Sequence, residues 1–210
     1  MTIAIIGTGS VGAALGRGWA AAGHAIRFGS RHPQSDDVQA LVASIGSQAA
    51  ATPPAEAAAA SEVVALAVPW GAAQSAVEGL GALSGTILID CTNPLAAGLQ
   101  PAVGSDTSGA EQIAGWAPDG ARVVKAFNTT GANNMADPDY AGTPLSMFIC
   151  GDEADAKSTV ARLAEDLGFE AVDAGPLDRA RLLEPMARLW IHLAMTDGFG
   201  REIGFKLLRR

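Results

Sequence analysis

A glycine-rich hexapeptide near the start of the chain constrains the fold more than any other segment. The run Gly7-Thr8-Gly9-Ser10-Val11-Gly12 follows the apolar stretch 3–6 and precedes an alanine-rich stretch. In a strand–turn–helix unit, the first glycine permits the tight turn, the second lets backbone amides approach a pyrophosphate, and the third lets the helix pack closely on the strand. The helix N-terminus adds unpaired N–H groups and a positive dipole end. The segment therefore predicts a βαβ unit that binds the pyrophosphate of a dinucleotide.

The residues after the second apolar run indicate which dinucleotide fits. NAD-binding chains usually carry an acidic residue here, against the ribose 2′-hydroxyl. This chain has Gly29-Ser30-Arg31 instead. A guanidinium can pair bidentately with a 2′-phosphate and stack on the adenine, and the Ser30 hydroxyl can donate a hydrogen bond. We therefore expect NADP rather than NAD; the alternative is that Ser30 and Arg31 form only a solvated turn.

Short apolar runs alternate with helical stretches along the chain, which predicts a Rossmann-type, doubly wound parallel α/β sheet with helices on both faces. The predicted strands are 2–6, 25–29, 63–68, 86–90, 122–127, 146–150 and 170–173, and the predicted helices are 11–22, 37–46, 71–80, 109–115, 154–167 and 179–195. The alanine-rich segment 49–60 predicts a loop followed by a short helix. Ser108-Gly109-Ala110-Glu111 has the spacing of a helix capping box.

The pattern also predicts two parts of unequal size. We expect residues 1–150 to form an NADP-binding Rossmann domain. Residues 151–210 are expected to form a small C-terminal α+β extension that covers the cleft and contributes a dimer interface. The last predicted helix is apolar on most sides, with a tryptophan of the kind enriched at interfaces, so it needs a covering surface.

Composition argues against several kinds of partner. The formal net charge of −8 disfavours nucleic acid, which requires a basic face to neutralise its phosphates, and it also disfavours anionic membranes. No apolar run is long enough to span a membrane, and we expect no targeting leader and a cytoplasmic location. Cys91 and Cys150 lack CxxC spacing and end apolar runs, so we interpret them as buried free thiols and expect no metal site.

The segments that follow the predicted strands should meet at one edge of the sheet, where open α/β sheets bind their ligands. Besides the glycine turn and Ser30-Arg31, they are Pro69-Trp70, Thr92-Asn93-Pro94 and the stretch 128–132. They offer amides, hydroxyls and a cation, but no histidine, reactive cysteine or clustered carboxylates. This set fits direct hydride transfer, in which the cofactor carries the chemistry and the protein orients it. We therefore assign no catalytic residue.

Three residues near this edge leave alternatives open. Lys125 lies inside a predicted strand and is either a buried structural ammonium or a proton donor to a reduced substrate. Asp90 ends a strand and is expected to cap a neighbouring turn rather than act as a base. Trp70 either walls off a cofactor ring or fills space in the core.

In these and other segments the chain resembles the NADPH-dependent reductases of the deazaflavin coenzyme F420, and in particular their bacterial dinucleotide-binding branch. The resemblance covers nearly the whole chain. Besides the segments already named, it is carried by Val68-Pro69-Trp70, 124–129, Cys150-Gly151-Asp152, 173–177, Arg181-Leu182-Leu183-Glu184 and the ending 198–207.

The resemblance implies a Rossmann domain, a small C-terminal domain over a cleft, a homodimer, and hydride exchange between NADPH and a deazaflavin. Carried over by position, it implies nucleotide contacts at Thr8, Gly9, Ser10, Val11, Ser30, Arg31, Val68, Trp70, Gln74, Asn93 and Ala132. With Gly7, Gly12, Pro69 and Asn128, these residues form the predicted cofactor site.

The chain departs from archaeal members of the family at two positions beside the second substrate. Those members have histidine where this chain has Asn128 and proline where it has Gly131. The leading hypothesis is therefore an NADP-dependent oxidoreductase with a planar acceptor, either deazaflavin or flavin-like. Two alternatives are an NADP-linked reductase of a small imine or carbonyl, with Lys125 as the proton donor, and a non-catalytic NADP-binding sensor.

Overall fold

One eight-stranded sheet organises the chain, which a computed structural model describes over residues 1–210. Its strands are β1 (Thr2–Ile6), β2 (Ala25–Gly29), β3 (Ala49–Thr52), β4 (Val63–Leu66), β5 (Ile87–Asp90), β6 (Arg122–Lys125), β9 (Ser146–Gly151) and β10 (Glu170–Gly175); β7 (Asp139–Tyr140) and β8 (Thr143–Pro144) form a separate hairpin. The order across the sheet is β10-β9-β6-β5-β4-β1-β2-β3. This mostly parallel arrangement confirms the predicted Rossmann-type α/β fold.

Helices cover both faces of the sheet. They are α1 (Ser10–Ala21), α2 (Asp36–Ile45), α3 (Pro54–Ala59), α4 (Trp70–Glu78), α5 (Gly109–Trp116), α6 (Ala132–Ala136), α7 (Ala154–Glu165) and α8 (Ala180–Met195). Successive side chains of a strand point to opposite faces. In β1, Ile3 and Ile5 therefore join the core beneath α1, α2 and α7, whereas Ala4 and Ile6 join the core beneath α3, α4, α5 and α8. None of the helices combines the length and hydrophobicity that a membrane span requires.

The sheet is not parallel throughout, which corrects the sequence-based prediction. β9 pairs with β6 antiparallel, with Lys125 opposite Cys150, and β10 then pairs with β9 in parallel. A parallel strand needs a crossover that carries the chain back to the opposite edge, usually a long helix. Between β6 and β9 the chain forms only the five-residue α6 and the β7–β8 hairpin, so β9 starts at the edge where β6 ended.

Two further predictions of secondary structure were wrong in part. The first residues of segment 49–60 form the edge strand β3, paired with β2, rather than a loop. Alanine has little intrinsic preference for strands, so the pairing partner decides the outcome. The strand predicted to reach residue 127 ends at Lys125, because Phe127 has a φ of 62° and breaks the extended backbone.

Candidate cofactor and acceptor site

Two glycines of the turn after β1 are required by the fold, and the third, Gly9, is not. Gly7 has a φ of 112°, and a Cβ there would lie 2.4 Å from the carbonyl oxygen of Ala67. A Cβ on Gly12 would lie 2.1 Å from the carbonyl oxygen of Gly7. Gly9, in contrast, has a φ of −73°, and a Cβ there would meet no protein atom within 4 Å. The space in front of Gly9 is therefore open, as it must be if a pyrophosphate is to reach the backbone.

The N-terminus of α1 faces this open space. Gly9 is the N-cap residue, and no side chain caps the helix. The first backbone N–H groups of a helix lack partners within it, and together with the helix dipole they form an anion site. Ser10, Val11 and Gly12 supply the N–H groups of this first turn. The geometry fits a pyrophosphate.

A cleft of about 540 Å³ extends from this turn toward the carboxyl ends of β2 and β4, and we call it the nucleotide cleft. The predicted cofactor residues that line it are Gly7, Thr8, Gly9, Ser30, Arg31, Val68 and Pro69. Its walls also include residues that the sequence did not single out, among them His32, Ser35 and Asp37. The glycine turn and the end of β2 thus share one continuous cavity.

The β2 end of the nucleotide cleft is organised by short hydrogen bonds around Ser30. The Ser30 hydroxyl accepts from the backbone N–H of His32 at 3.1 Å, and the Ser35 hydroxyl donates to the His32 carbonyl at 2.8 Å. Arg31 is exposed and forms no ion pair, so its guanidinium is free. Ser35 and the backbone N–H of Val38, at the start of α2, keep the pKa of the Asp37 carboxyl below its ordinary value. Arg31 therefore has to attract a phosphate in the presence of one carboxylate.

Trp70 and Gln74 do not line the nucleotide cleft. Trp70 packs on Trp116 with ring centroids 5.5 Å apart, between α4 and α5. The side-chain amide of Gln74 donates to Glu78 one turn further along α4, at 2.9 Å. Trp70 therefore contributes to the packing between α4 and α5.

Asn93 and Asn128, after β5 and β6, form a hydrogen-bonded pair. Asn93 Nδ2 donates to the carbonyl of Asn128 at 3.1 Å, and Asn128 Nδ2 donates to Asn93 Oδ1 and to the carbonyl of Leu183 in α8, each at 3.2 Å. Asn128 Oδ1 is buried without a partner, as is Thr92 Oγ1. Buried polar atoms without partners are uncommon, and an ordered water commonly binds such atoms. Ala132 lies nearby as the first residue of α6.

Gly131, one of the two departures from archaeal family members, has a local structural cause. A Cβ at this position would lie 2.4 Å from Cη2 of Trp190 in α8. The Trp190 indole is fixed by its Nε1, which donates to the Ile203 carbonyl at 2.8 Å. A proline or other larger residue at 131 would therefore require α8 or this indole to shift.

Lys125 is a buried structural cation. Its side chain is fully buried, and Nζ lies 2.7 Å from Asp90 Oδ2, 2.7 Å from the Thr92 carbonyl and 3.0 Å from Glu184 Oε1. Burial opposes the charge, but the carboxylates of Asp90 and Glu184 outweigh it and raise the pKa of Lys125 above its ordinary value. Lys125 does not line the nucleotide cleft, and its ammonium already has three partners within the protein. Asp90 also accepts from the Thr92 N–H at 2.8 Å, which confirms the predicted turn cap.

Glu184 in α8 was missed by sequence reasoning. Besides its contact with Lys125, its carboxylate accepts from the backbone N–H groups of Gly109 at 3.0 Å and Ala110 at 3.1 Å, at the start of α5. The Ser108 hydroxyl accepts from the Glu111 N–H, as the capping-box spacing predicts. The available signal was a single acidic residue on the buried face of an apolar helix, because such a residue requires a partner.

A second cleft of about 480 Å³ lies between α8 and the loop after β5. One wall consists of Pro94, Leu95, Pro101, Val103, Gly104, Ser105 and Thr107, and the other consists of Arg181, Glu184, Pro185, Arg188, Leu189 and His192. Local sequence patterns do not predict the walls of this second cleft, since they are far apart along the chain.

The glycine turn, the helix N-terminus and the free arginine after β2 define the class of protein: a Rossmann-type, dinucleotide-binding oxidoreductase. The family model described as "NADP oxidoreductase coenzyme F420-dependent" matches residues 2–94. The F420-dependent NADP reductase of Methanothermobacter marburgensis is 31% identical over an alignment of 221 positions, which covers 99% of this chain and 98% of the relative. That of Methanothermobacter thermautotrophicus is 30% identical over an alignment of 216 positions, which covers 94% of this chain and 90% of the relative. The chain belongs to the family of F420-dependent NADP oxidoreductases.

Solved structures agree with this assignment. A putative F420-dependent NADP reductase from Arthrobacter sp. FB24 superposes with a TM-score of 0.89 at 34% identity, and the match covers 100% of both chains. An imine reductase from Streptomyces aurantiacus has a TM-score of 0.67 at 20% identity, covering 94% of this chain and 64% of that one. At that identity the second likeness shows a shared fold alone.

Proposed function

We propose that the protein transfers a hydride between NADPH and a deazaflavin of the coenzyme F420 type. The observation that carries the proposal is the open space in front of Gly9, continuous with the free guanidinium of Arg31, in a chain of this family. A pyrophosphate fits the first, and a 2′-phosphate fits the second. When NADPH is bound, its nicotinamide supplies the hydride, so the protein needs to bind and orient rather than to provide an acid or base.

Residues at the carboxyl edge of the sheet would each bind a different part of the dinucleotide. Ser30 and Arg31 would hold the 2′-phosphate, and the first turn of α1 would hold the pyrophosphate. Asn93, which is partly exposed and held by its hydrogen bond with Asn128, offers polar groups for the nicotinamide end. This arrangement orders a flexible dinucleotide, and holding the reacting groups in the right geometry can supply a large part of the rate enhancement.

The imine or carbonyl reductase alternative loses support from the position of Lys125. That reading required a lysine able to deliver a proton, whereas Lys125 is fully buried and bound by two carboxylates and a carbonyl. A deazaflavin acceptor needs no such donor in the protein interior. A flavin-like acceptor uses the same planar geometry and belongs in the same assays.

The cofactor assignment is tested with Arg31→Ala. We expect the KM for NADPH to rise by about tenfold or more, with the KM for NADH unchanged within about twofold, because a charge-assisted hydrogen bond contributes about 1.5–3 kcal/mol. Arg27→Ala, on β2 before the cleft and outside its lining, is the matched control. Equal losses for both dinucleotides would refute the 2′-phosphate assignment.

The acceptor is tested by stopped-flow mixing of NADPH with a panel of deazaflavins and flavins. We expect a deazaflavin to oxidise NADPH, and the reaction is measured as the loss of the absorbance of the reduced nicotinamide. If NADPH binds but none of the acceptors oxidises it, the oxidoreductase proposal fails and a sensor becomes the better description.

We also propose that residues 151–210 cover the cleft and that the protein is a cytoplasmic homodimer. α8 and its continuation carry large apolar side chains that are more than half exposed and line neither cleft, at Leu182, Met195 and Phe199. Exposed apolar stripes of this kind commonly mark interfaces. The cytoplasmic location is supported by Cys91 and Cys150, because free thiols are typical of proteins in a reducing compartment. Light scattering should give a dimer mass, and Leu182→Glu should shift it toward the monomer; a wild-type monomer at micromolar concentration would contradict the dimer.

A further inference from the structure

The ammonium of Lys125 has one acceptor for each of its three hydrogens. The acceptors are Asp90 Oδ2 at 2.7 Å, the carbonyl oxygen of Thr92 at 2.7 Å and Glu184 Oε1 at 3.0 Å. We call Asp90, Lys125 and Glu184 the buried ion cluster, since all three residues are buried. A buried polar network whose donors all have partners holds its members in one arrangement.

Stability alone does not explain why the centre of the sheet contains this ion cluster. Removing an ammonium and two carboxylates from water costs free energy, and well-packed apolar side chains in the same space are often equally stable or more stable. Ile89 and Val124, the neighbours of Asp90 and Lys125 in β5 and β6, are apolar and fully buried. What an ion cluster provides and apolar packing does not is a set of directed bonds to nearby backbone groups.

The ion cluster binds both backbone polar groups of Thr92. The N–H of Thr92 donates to Asp90 Oδ1 at 2.8 Å, and its carbonyl accepts from Lys125 Nζ. In a planar trans peptide the carbonyl of one residue and the N–H of the next point in opposite directions, and the chain has no cis peptide bond. The bond from Lys125 to Thr92 therefore sets the direction of the Asn93 N–H, which points away from the cluster.

The backbone N–H of Asn93 forms no hydrogen bond within the protein. Asn93 is partly exposed, and it follows β5, which lies beside β4 in the sheet. Val68 and Pro69, after β4, line the nucleotide cleft. A dinucleotide that extends from the α1 turn past β4 would bring its nicotinamide end to Asn93. The N–H of Asn93 is then a free donor for that end of the cofactor.

We propose that Lys125 is a positioning residue for the nicotinamide end of NADPH, because it holds the Thr92 carbonyl and thereby directs the N–H of Asn93 toward the cofactor. This inference rests on the proposed function and adds a role for a residue that does not contact the cofactor. Glu184 and Asp90 hold the Lys125 ammonium in place. Lys125 acts through the geometry of the loop after β5 and transfers no proton.

The test compares NADPH with adenosine 2′-phosphate 5′-diphosphate, which keeps both phosphate groups of the adenosine end but lacks the nicotinamide riboside. Glu184→Gln is the reference variant, because it leaves the bonds from Lys125 to Asp90 and Thr92 in place. Lys125→Met combined with Glu184→Gln removes them and leaves one uncompensated carboxylate in the cluster, as in the wild type. Relative to the reference, this double variant should bind NADPH about tenfold more weakly and the truncated ligand within about twofold, by calorimetry.

A second measurement reports on the nicotinamide itself. The fluorescence anisotropy of the reduced nicotinamide, at saturating NADPH, should be lower in the double variant, because the ring is held less firmly. Lys157→Met, which removes an ion-paired lysine of α7 outside both clefts, should keep the wild-type affinities and anisotropy.

Equal losses of affinity for the two ligands in the double variant, no loss for NADPH, or an unchanged anisotropy would overturn the inference, since each would show that Lys125 supports only the fold. Neither measurement requires an acceptor. A protein that binds NADPH but transfers no hydride would therefore count against the proposed function and not against the role of Lys125.

Discussion

Replacing Gly9 with alanine should separate NADPH binding from folding. Gly9 has an extended backbone with negative φ, and its Cβ would meet no protein atom. The loss of a favourable N-cap residue and the gain from a less flexible unfolded chain are each about 1 kcal/mol or less and of opposite sign. We therefore expect Gly9→Ala to change the free energy of unfolding by less than about 1 kcal/mol, or about 4 °C in Tm.

The same methyl group would occupy the space that a pyrophosphate needs. Losing one or two charge-assisted hydrogen bonds from the turn would cost about 3 kcal/mol, which is a loss of NADPH affinity of roughly 100-fold. Calorimetric titration with NADPH gives the Kd, and thermal unfolding without nucleotide gives the stability.

Gly12→Ala is the matched control for this experiment. Its Cβ would lie 2.1 Å from a backbone carbonyl oxygen that cannot move aside. The overpacking should cost about 1–3 kcal/mol in the free energy of unfolding, so this variant should lose stability whether or not nucleotide is present. If Gly9→Ala bound NADPH within about threefold of the wild type, the open space in front of Gly9 would not be the pyrophosphate site.

Three further outcomes follow from the buried and paired groups. Lys125→Met should lower the free energy of unfolding by about 3–5 kcal/mol, measured by urea denaturation, because two buried carboxylates lose their counterion; a cost below about 1 kcal/mol would contradict the described pairing. The hydrogen bonds from Arg181 hold the pKa of Glu111 below its ordinary value, so this pair stabilises the fold above the carboxyl's unfolded pKa and the contribution disappears as pH falls through the lower folded pKa. Glu111→Gln should flatten that acid-side dependence in denaturation at pH 3–7, and an unchanged profile would show that the pair contributes nothing. Burial raises the pKa of the Cys91 thiol and raises that of Cys150 to about 12, so iodoacetamide should modify both only after unfolding; rapid labelling of the native protein would contradict their burial.

The sequence predicted those features that depend on residues close together in the chain. The glycine turn between β1 and α1, most of the strands and helices, and the Ser108 cap are local patterns, and they were found where they were predicted. The antiparallel direction of β9 was missed, although no helix had been predicted between residues 127 and 146, because the direction depends on the absence of a crossover helix rather than on any residue in the strand. The edge strand β3 was missed for a related reason: its alanines become a strand only by pairing with β2.

The candidate site shows the same division. Residues directly after β1, β2 and β4 could be assigned to the nucleotide cleft from their order alone, since parallel strands end at one edge. The second cleft could not be found, because its walls are the loop after β5 and a helix beginning more than seventy residues later, at Ala180. Lys125 was recognised as unusual, but its second partner, Glu184, is brought to it only by the tertiary fold.

The ion pair between Glu184 and Lys125 affects the order in which parts of the chain become stable during synthesis. During synthesis the ammonium and Asp90 leave the ribosome well before the carboxylate of α8, so a nascent chain carries the sheet centre with its charge only partly compensated and the first turn of α5 uncapped. The packing of α5 on its face of the sheet is therefore complete only when α8 has docked. A ribosome-bound chain that stops short of Ala180 is expected to be open to proteases at α5, even though its first βαβ unit is complete.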